Sequence, residues 1–429
     1  MYVQSWYLTG NMIDSQDVSE QELEVLRGDA LSNNLCSSKW IIKTLMSLCE
    51  IDKHGWTKEL EDQLCILWDL SMEGEVVSHL ISYDFPNIAK NTLMTSDEPR
   101  LIEIILGIIG NVGSSDEAFN TILRDRELVT QILRHLTSAD SLILIQLMRI
   151  LKSIFWQITA HESEDFLTAY LTECEFFGDS IIFILKSSTN DDLLTGTMNM
   201  LESVCNVDQL VIESFWEKLF KIDDLFSAML ESFRQVISRR KTSQFEWKFA
   251  EHWLGVLTDI MDCTSGFKST ECKFSEFKID KTDEKFLKLM EIMYRILKPC
   301  KKSYNLYPIR EGGANMIYDI THILLCLRCC DVNDPRLDCI LATIFFSLKT
   351  VSESDSKNNQ DPEELIAELL DYLNRYWLHM IKICTSKQIV VILRLCKREV
   401  REYLISFVQS HPKATLEALH KMKKVVKYF

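Results

Sequence analysis

A recurring arrangement of apolar and polar positions dominates this chain. A short apolar stretch leads into a turn containing Ser, Thr, Asp or Asn, and a longer, almost wholly apolar stretch follows. This pattern predicts two helices joined by a short turn, because the turn side chains can cap the second helix. Four copies occur, and their longer stretches are Leu101–Val112, Leu142–Phe155, Leu193–Cys205 and Leu337–Leu348.

The copies recur with a loose period. From Asp97 to Asp140 is 43 residues, and from Asp140 to Asp192 is 52 residues. These spacings lie near, and slightly above, the armadillo and HEAT repeat lengths. Repeats of this kind bury their apolar faces only against neighbouring repeats and so stack into an elongated array. The pattern therefore predicts an all-α fold, an armadillo/HEAT-like α-solenoid in which helix pairs form a right-handed superhelix with a concave surface.

Composition agrees with this fold class. Hydrophobic residues make up 47% of the 429 residues, which is enough for a large core. Only 13 glycines and 7 prolines are present, fewer than a sheet protein of this length needs for its turns. No stretch reaches the roughly 18–20 uninterrupted apolar residues of a membrane span, and the N-terminus lacks the features of a secretory signal. We therefore expect no membrane partner.

The polar segments divide the chain. We expect an acidic, largely disordered arm over residues 1–35, helical repeats over residues 36–350, a polar linker over residues 351–362 and capping helices over residues 363–429. The linker is rich in turn-forming residues and has almost no apolar side chains. The capping helices are predicted over Glu363–Cys384, Lys387–Gln409 and Lys413–Val426.

Charge and cysteine usage narrow the class of partner. The net charge is −16, and residues 380–429 carry eleven Lys/Arg against three Glu. An acidic body lacks the basic surface that phosphate binding requires, so we expect no direct nucleic-acid contact. Fourteen dispersed cysteines in so large a chain are typical of reduced thiols in the nucleus or cytoplasm.

Several short motifs resemble the serum amyloid A-like protein 1 family, over about residues 36–210. They are Ser38-Lys39-Trp40, Leu67-Trp68-Asp69-Leu70-Ser71-Met72, Pro99-Arg100-Leu101-Ile102-Glu103-Ile104, Gly107-Ile-Ile-Gly110-Asn111 and Ser187-Ser-Thr-Asn190-Asp-Asp-Leu193-Leu194. The resemblance implies an armadillo-like helical protein of the nucleus, linked to promotion of cell proliferation and without assigned catalytic residues.

Candidate catalytic and metal motifs are weak. Gly107-x-x-Gly110-x-x-Gly113 has the wrong spacing for a dinucleotide loop and favours close helix packing, with the helix ending at Gly113. His322-x-x-x-Cys326-x-x-Cys329-Cys330, followed by Cys339, could bring three zinc ligands to one helical face, or could be a helix that buries small thiols. Because nucleophile-elbow, zincin and phosphate-loop motifs are also missing, we predict neither an enzyme nor a cofactor or metal.

Three residues are candidates for protein binding. By resemblance to armadillo grooves, Asn111 would pair with the backbone of an extended ligand, and the alternative is capping of its own helix near Gly113. Trp68 could supply a groove platform, although its helical phase with Leu60 and Leu64 favours the core. Arg100 could donate hydrogen bonds to the ligand or act only on the helix end.

Thr242 follows the basic cluster Arg239-Arg240-Lys241, so it is a candidate phosphorylation site. The alternative is a solvated helix end. Together these features predict a non-enzymatic scaffold that binds a protein segment along its concave face and promotes proliferation. The alternative is a transport or assembly adaptor whose acidic surface holds a basic partner.

Overall fold

The computed structural model describes residues 37–160, 165–208, 215–238, 247–265, 283–329, 332–357 and 364–429. Every regular element within these ranges is a helix, and the predicted all-α solenoid class is confirmed. The chain forms two compact units, unit 1 (residues 1–153) and unit 2 (residues 154–429). The predicted acidic arm lies outside the described residues.

Unit 1 is built from repeats of three helices, a short first helix, a second helix and a longer third helix. Second helices pack on second helices (α1 on α5, α5 on α8), and third helices pack on third helices (α3 on α6). The division between the units falls within α9. The bounds are α1 Ser38–Cys49, α2 Ile51–His54, α3 Lys58–Leu70, α4 Gly74–Ser82, α5 Phe85–Thr95, α6 Pro99–Val112, α7 Asp116–Leu123, α8 Arg126–Arg134 and α9 Ser141–Ala160.

Unit 2 follows the same packing scheme. The helices α11, α14, α16 and α19 form a row of second helices, and α12, α15, α18 and α20 form a row of third helices. The last three helices pack on α19, on α20 and on one another. The bounds are α10 Asp165–Glu173, α11 Phe177–Ser187, α12 Asp191–Asp208, α13 Phe215–Leu219, α14 Ile222–Ser238, α15 Trp247–Ser265, α16 Glu284–Leu297, α17 Ser303–Leu306, α18 Glu311–Cys329, α19 Pro335–Lys357, α20 Glu364–Ile383, α21 Ser386–Leu395, α22 Arg398–Ser410 and α23 Leu416–Val426.

The predicted capping turns precede three of the third helices, α6, α9 and α12. In each turn a serine Oγ accepts a hydrogen bond, 3.1 Å long, from the backbone N–H two residues later. That later residue then accepts, through its own side chain, a bond from a backbone N–H of the helix. The first N–H groups of a helix have no intrahelical acceptor, so these turns fix where each third helix begins. The pairs are Ser96 with Glu98, Ser138 with Asp140 and Ser188 with Asn190.

The short first helices were not predicted. One of them, Asp116–Leu123, has only eight residues, too few for a clear helical period, and such a helix depends on tertiary packing. The fourth sequence copy is also out of register. Leu337–Leu348 belongs to α19, which packs in the row of second helices, whereas the other three long stretches lie in third helices.

Two predicted boundaries differ from the structure. The helix α19 continues to Lys357 and so occupies the first seven residues of the expected linker. The single helix predicted over Lys387–Gln409 is two helices, because Cys396 and Lys397 adopt extended backbone conformations. No glycine or proline marks this break; α21 and α22 each pack against α19 and α23. The division into arm, repeats, linker and cap remains a prediction.

One described helix, α9, is long and apolar enough to cross a membrane by length and composition alone. In the same helix, 56% of the most apolar 18-residue window is buried inside the protein. Core helices of this kind pass the same test. Arg149 and Lys152 interrupt this helix, so it is not an uninterrupted apolar run, and the absence of a membrane partner remains a prediction.

Close packing joins the third helices α3 and α6 in unit 1. A Cβ atom added to Gly107 would lie 2.1 Å from Cε2 and 2.3 Å from Cζ2 of Trp68. Only glycine lets the indole of Trp68 rest directly on the backbone of α6. The interpretation that this glycine permits close helix packing is confirmed, as is the end of α6 at Gly113.

A buried ion pair joins α18 to α19 in unit 2. Arg328 Nη2 donates to both carboxylate oxygens of Asp338, at 2.8 and 2.7 Å, and the two side chains are 6% and 1% exposed. The hydroxyl of Tyr376 in α20 also donates to Asp338, at 3.2 Å. Burial raises the pKa of Asp338, while Arg328 opposes that shift by favouring the carboxylate. Three successive helices thus meet at one charged centre.

Arg328→Met is expected to lower the free energy of unfolding by about 3–5 kcal/mol, because it leaves a buried carboxylate without its counter-ion. Urea unfolding followed by circular dichroism measures the change. Arg398→Met is the matched control, since its pair with Glu402 is exposed and should be worth less than about 1 kcal/mol. If the free energy of unfolding fell equally in the two variants, the buried pair of Arg328 and Asp338 would not have the stabilising role assigned to it.

Gly107→Ala is expected to lower the free energy of unfolding by about 1–2 kcal/mol, because the clash with Trp68 outweighs the helix-propensity gain of alanine. Gly110→Ala is the matched control. A Cβ atom there would meet its nearest neighbour, Ile150, at an ordinary 3.7 Å, so this variant should be neutral or stabilised by up to about 1 kcal/mol. If both variants were equally stable, Trp68 would not occupy the described position.

Candidate functional site

The three predicted binding residues lie together in unit 1. Trp68 comes from α3, and both Arg100 and Asn111 come from the neighbouring third helix, α6. The indole of Trp68 is half-buried against Gly107, and the guanidinium carbon of Arg100 lies 6.0 Å from the centre of the ring. Trp68 is therefore neither a fully buried core residue nor a fully exposed platform.

Arg100 ties the two third helices together by its charge. Its Nη1 donates to Glu103 at 2.7 Å on α6, and its Nε donates to Glu61 at 3.3 Å on α3. Its Nη2 donates to the sulfur of Cys65 at 3.3 Å. The Arg100 side chain is still 38% exposed, so its guanidinium can be reached from solvent. The arrangement leaves an accessible cation beside an aromatic ring.

Asn111 makes hydrogen bonds on both sides of its amide and is only 7% exposed. Its Nδ2 donates to the backbone oxygen of Trp68 at 2.9 Å and to Ser71 Oγ at 3.0 Å. Its Oδ1 accepts from Arg149 Nη2 at 2.7 Å. Because the last carbonyls of a helix lack intrahelical partners, Asn111 caps the neighbouring helix α3. Contact between this amide and a ligand remains a prediction.

Sequence reasoning missed Arg149, and it did not identify Trp68 as the side chain that contacts Gly107. Arg149 is an exposed residue of α9, and its guanidinium also donates to Gln146 Oε1 at 2.6 Å. The one sequence signal for Arg149 was its place in the second copy of the long apolar stretch, where a charged residue faces outward. We call Trp68, Arg100, Asn111 and Arg149 the third-helix face of unit 1. This face combines an aromatic surface with two guanidinium groups.

The third helices of unit 2 carry a different surface, rich in carboxylates. His252 Nδ1 lies 2.8 Å from Glu202 Oε2, and His322 Nε2 lies 2.6 Å from Asp262 Oδ1. Each pair joins neighbouring helices, α12 with α15 and α15 with α18. We call this surface the third-helix face of unit 2; its acidic members are Glu202, Glu251, Asp262 and Asp319.

Burial changes the protonation of one of these carboxylates, Asp319. Burial raises the pKa of Asp319 to about 7, and the charges of Glu251 and Glu202 add to that rise. The nearby charge of His322 opposes it. The face therefore favours the approach of a cation, which would relieve the repulsion between carboxylates.

Other sequence candidates lie elsewhere. Thr242 and its basic cluster fall outside the described residues, as does Cys330. The thiol of Cys339 contacts a different part of unit 2, since it donates to the backbone oxygen of Leu395 at 3.2 Å. Cys339 therefore does not join His322 in one site.

Comparison with known proteins finds similarity to one family. A family profile described as the SAAL1 C-terminal domain matches residues 177–270. Protein SAAL1 of Homo sapiens is 29% identical over 199 residues, which cover 43% of this chain and 41% of the human protein. Protein SAAL1 of Mus musculus is 22% identical over 382 residues, which cover 84% of this chain and 74% of the mouse protein.

Two of the solved structures to which the chain is similar are designed repeat proteins. A crystal structure of computationally designed armadillo repeat proteins for modular peptide recognition has a TM-score of 0.45 and 10% sequence identity. The match covers 66% of this chain and 98% of the designed chain. A designed armadillo repeat protein in complex with the peptide (KR)4 has a TM-score of 0.43 and 12% identity, with 66% and 98% of the two chains covered.

The family similarity is wider than the motifs that first indicated it. Those motifs lie before residue 210, whereas the family profile extends to residue 270 and the match to the mouse protein covers most of the chain. Vertebrate relatives from mammals and from Danio rerio carry the same name. The predicted resemblance to the SAAL1 family, the serum amyloid A-like protein 1 family, is confirmed.

Proposed function

We propose that this protein is a non-enzymatic scaffold that holds a segment of another protein against the third-helix face of unit 1. The observation that carries the proposal is the convergence of Trp68 and Arg100, from adjacent third helices, beside the Asn111 network. Tryptophan and arginine are the residue types that most often dominate the energy of protein interfaces.

Each of these residues has a different role in the proposed binding. The half-buried indole offers an apolar surface that is already held in place by Gly107, so little side-chain entropy is lost on binding. Arg100 and Arg149 offer guanidinium donors for carboxylate or backbone oxygen atoms of the segment. Asn111 holds α3 and α9 against α6 and thereby sets the spacing of the other three residues.

We further propose that the protein acts in the nucleus or the cytoplasm and promotes cell proliferation. This part rests on the family resemblance alone. The distribution of the tagged full chain in cells, and the proliferation of cells depleted of it, are the direct measurements.

Partner capture from cells tests the proposed face, with Trp68→Leu and Arg100→Ala compared with the wild-type chain by mass spectrometry. Trp68→Leu keeps apolar packing near Gly107 but removes the aromatic ring. We expect both variants to lose the same partners, because hot-spot truncations cost about 2 kcal/mol or more, which is roughly 30-fold in affinity.

Met94→Ala is the control for that experiment. Met94 is 49% exposed on the second helix α5, away from the proposed face, so this variant should keep every partner. Circular dichroism establishes that each variant is folded. Retention of all partners by folded Trp68→Leu and Arg100→Ala would rule out the third-helix face of unit 1 as the binding surface.

A second candidate function is an adaptor whose acidic surface holds a basic partner. The observation that favours it is the carboxylate-rich third-helix face of unit 2, where Asp319 has a pKa of about 7. Basic side chains of a partner would replace protons and relieve repulsion between the carboxylates.

Salt dependence separates this candidate from the first. The affinity for a lysine-rich peptide, measured by fluorescence anisotropy, should fall at least about tenfold between low salt and several hundred millimolar salt. Glu202→Gln/Glu251→Gln should weaken binding, while the unit 1 control Glu59→Gln/Glu127→Gln should not. Salt-independent binding, or equal effects of both double variants, would refute a specific acidic site in unit 2.

A further inference from the structure

A histidine, a cysteine and a carboxylate meet between α15 and α18 in unit 2. The ligand atoms of Asp262, His322 and Cys326 all lie within 4.8 Å of one another. Such a convergence within the described residues combines the three side-chain types that bind transition metals most often. It uses none of the residues of the third-helix face of unit 1.

The helical geometry explains why these side chains meet. His322 and Cys326 are four residues apart on α18, so they occupy the same face of that helix. Asp262 lies on α15, which packs directly against α18. The third ligand is therefore 60 residues from His322 in sequence, and adjacency of the two third helices supplies it.

The surroundings hold these groups in place. The ring of Tyr318 lies nearly parallel to the imidazole of His322, with 7° between the planes, and it contacts Tyr372 on α20 at 4.3 Å between centroids. Cys326 is completely buried, His322 is 18% exposed and Asp262 is 42% exposed at the side chain. A cation can thus enter from the Asp262 side, and the thiol lies at the base of the site.

The chemistry of this set selects the metal. Thiolate and imidazole favour zinc over magnesium or calcium, which prefer oxygen ligands alone. Around a tetrahedral zinc ion the ligand atoms lie about 3.3–3.7 Å apart. The 2.6 Å contact between His322 Nε2 and Asp262 Oδ1 would therefore open by less than 1 Å, and the ion would replace the hydrogen bond between them.

Electrostatics favours a divalent ion over the proton. A buried thiolate is unfavourable without a nearby positive charge, and zinc supplies that charge directly. The carboxylates of Asp319 and Glu251 belong to the same face and increase its attraction for cations. Three protein ligands leave one tetrahedral position for water or for a group from a partner.

We propose that Asp262, His322 and Cys326 bind one zinc ion, which links the third helices α15 and α18. The pair formed by Glu202 and His252 provides an internal comparison. It has the same histidine–carboxylate contact between adjacent third helices, at 2.8 Å, but it belongs to no such three-ligand cluster among the described residues. The thiol distinguishes the proposed zinc site from an ordinary ion pair.

The test uses the purified full chain, stripped with a chelator and titrated with Zn²⁺ alone by calorimetry. We expect one ion to bind per chain with high affinity. Co²⁺ in place of Zn²⁺ should give a thiolate-to-metal charge-transfer absorption that Cys326→Ser abolishes. His322→Ala and Asp262→Asn should each weaken Zn²⁺ binding by at least about 100-fold. Mutation of a residue that only hydrogen-bonds to a metal ligand already lowers metal affinity by about 10–100-fold, and loss of a ligand should lower it more.

Control variants separate this site from adventitious binding by other cysteines. His252→Ala should bind Zn²⁺ as tightly as the wild-type chain. Asp262→Asn is the decisive variant, because a partly exposed side chain is replaced by one of equal size and the fold should persist. The proposal is overturned if fewer than one ion binds per chain, if Asp262→Asn binds as tightly as wild type, or if the cobalt absorption survives in Cys326→Ser.

Discussion

The direct contact between adjacent third helices is the constraint on which the surfaces of this protein depend. In unit 1 the indole of Trp68 rests on the backbone of α6 at Gly107, closer than any side chain would permit. Asn111 lies four residues after Gly107, so the same approach brings its amide to the backbone oxygen of Trp68. Because the carbonyl at the end of α3 is capped from α6, the two helices are fixed along their axes as well as across them.

The long helices and their capping turns could be predicted, since their signals are local. Serine followed two residues later by Glu, Asp or Asn supplies acceptors for the first N–H groups of α6, α9 and α12, and apolar residues follow. Short first helices such as Asp116–Leu123 have no comparable signal, because neighbouring helices supply most of their stability. For the same reason the break at Cys396 and Lys397, with neither glycine nor proline, could not be seen.

The binding candidates were predictable only in part. Family resemblance singled out Trp68, Arg100 and Asn111, and the structure brings them together. What the sequence did not reveal is the partner of each group. Asn111 reaches the backbone of Trp68 across 43 residues, and its other side meets Arg149 across 38 residues. Such long-range pairs depend on the offset between neighbouring third helices, which no local pattern encodes.

Charge shows the same dependence on helix packing. A net charge of −16 says that the chain is acidic, but it does not say where carboxylates crowd. In unit 2 the rows of third helices bring Glu202 against His252 and Asp262 against His322, so each imidazole faces a carboxylate of the neighbouring repeat. The two pairs differ in one residue. The buried Cys326 lies one helical turn beyond His322 and so joins the pair formed by Asp262 and His322. A repeated structural contact thus acquires the ligands of a metal site through a single side chain in the correct helical phase.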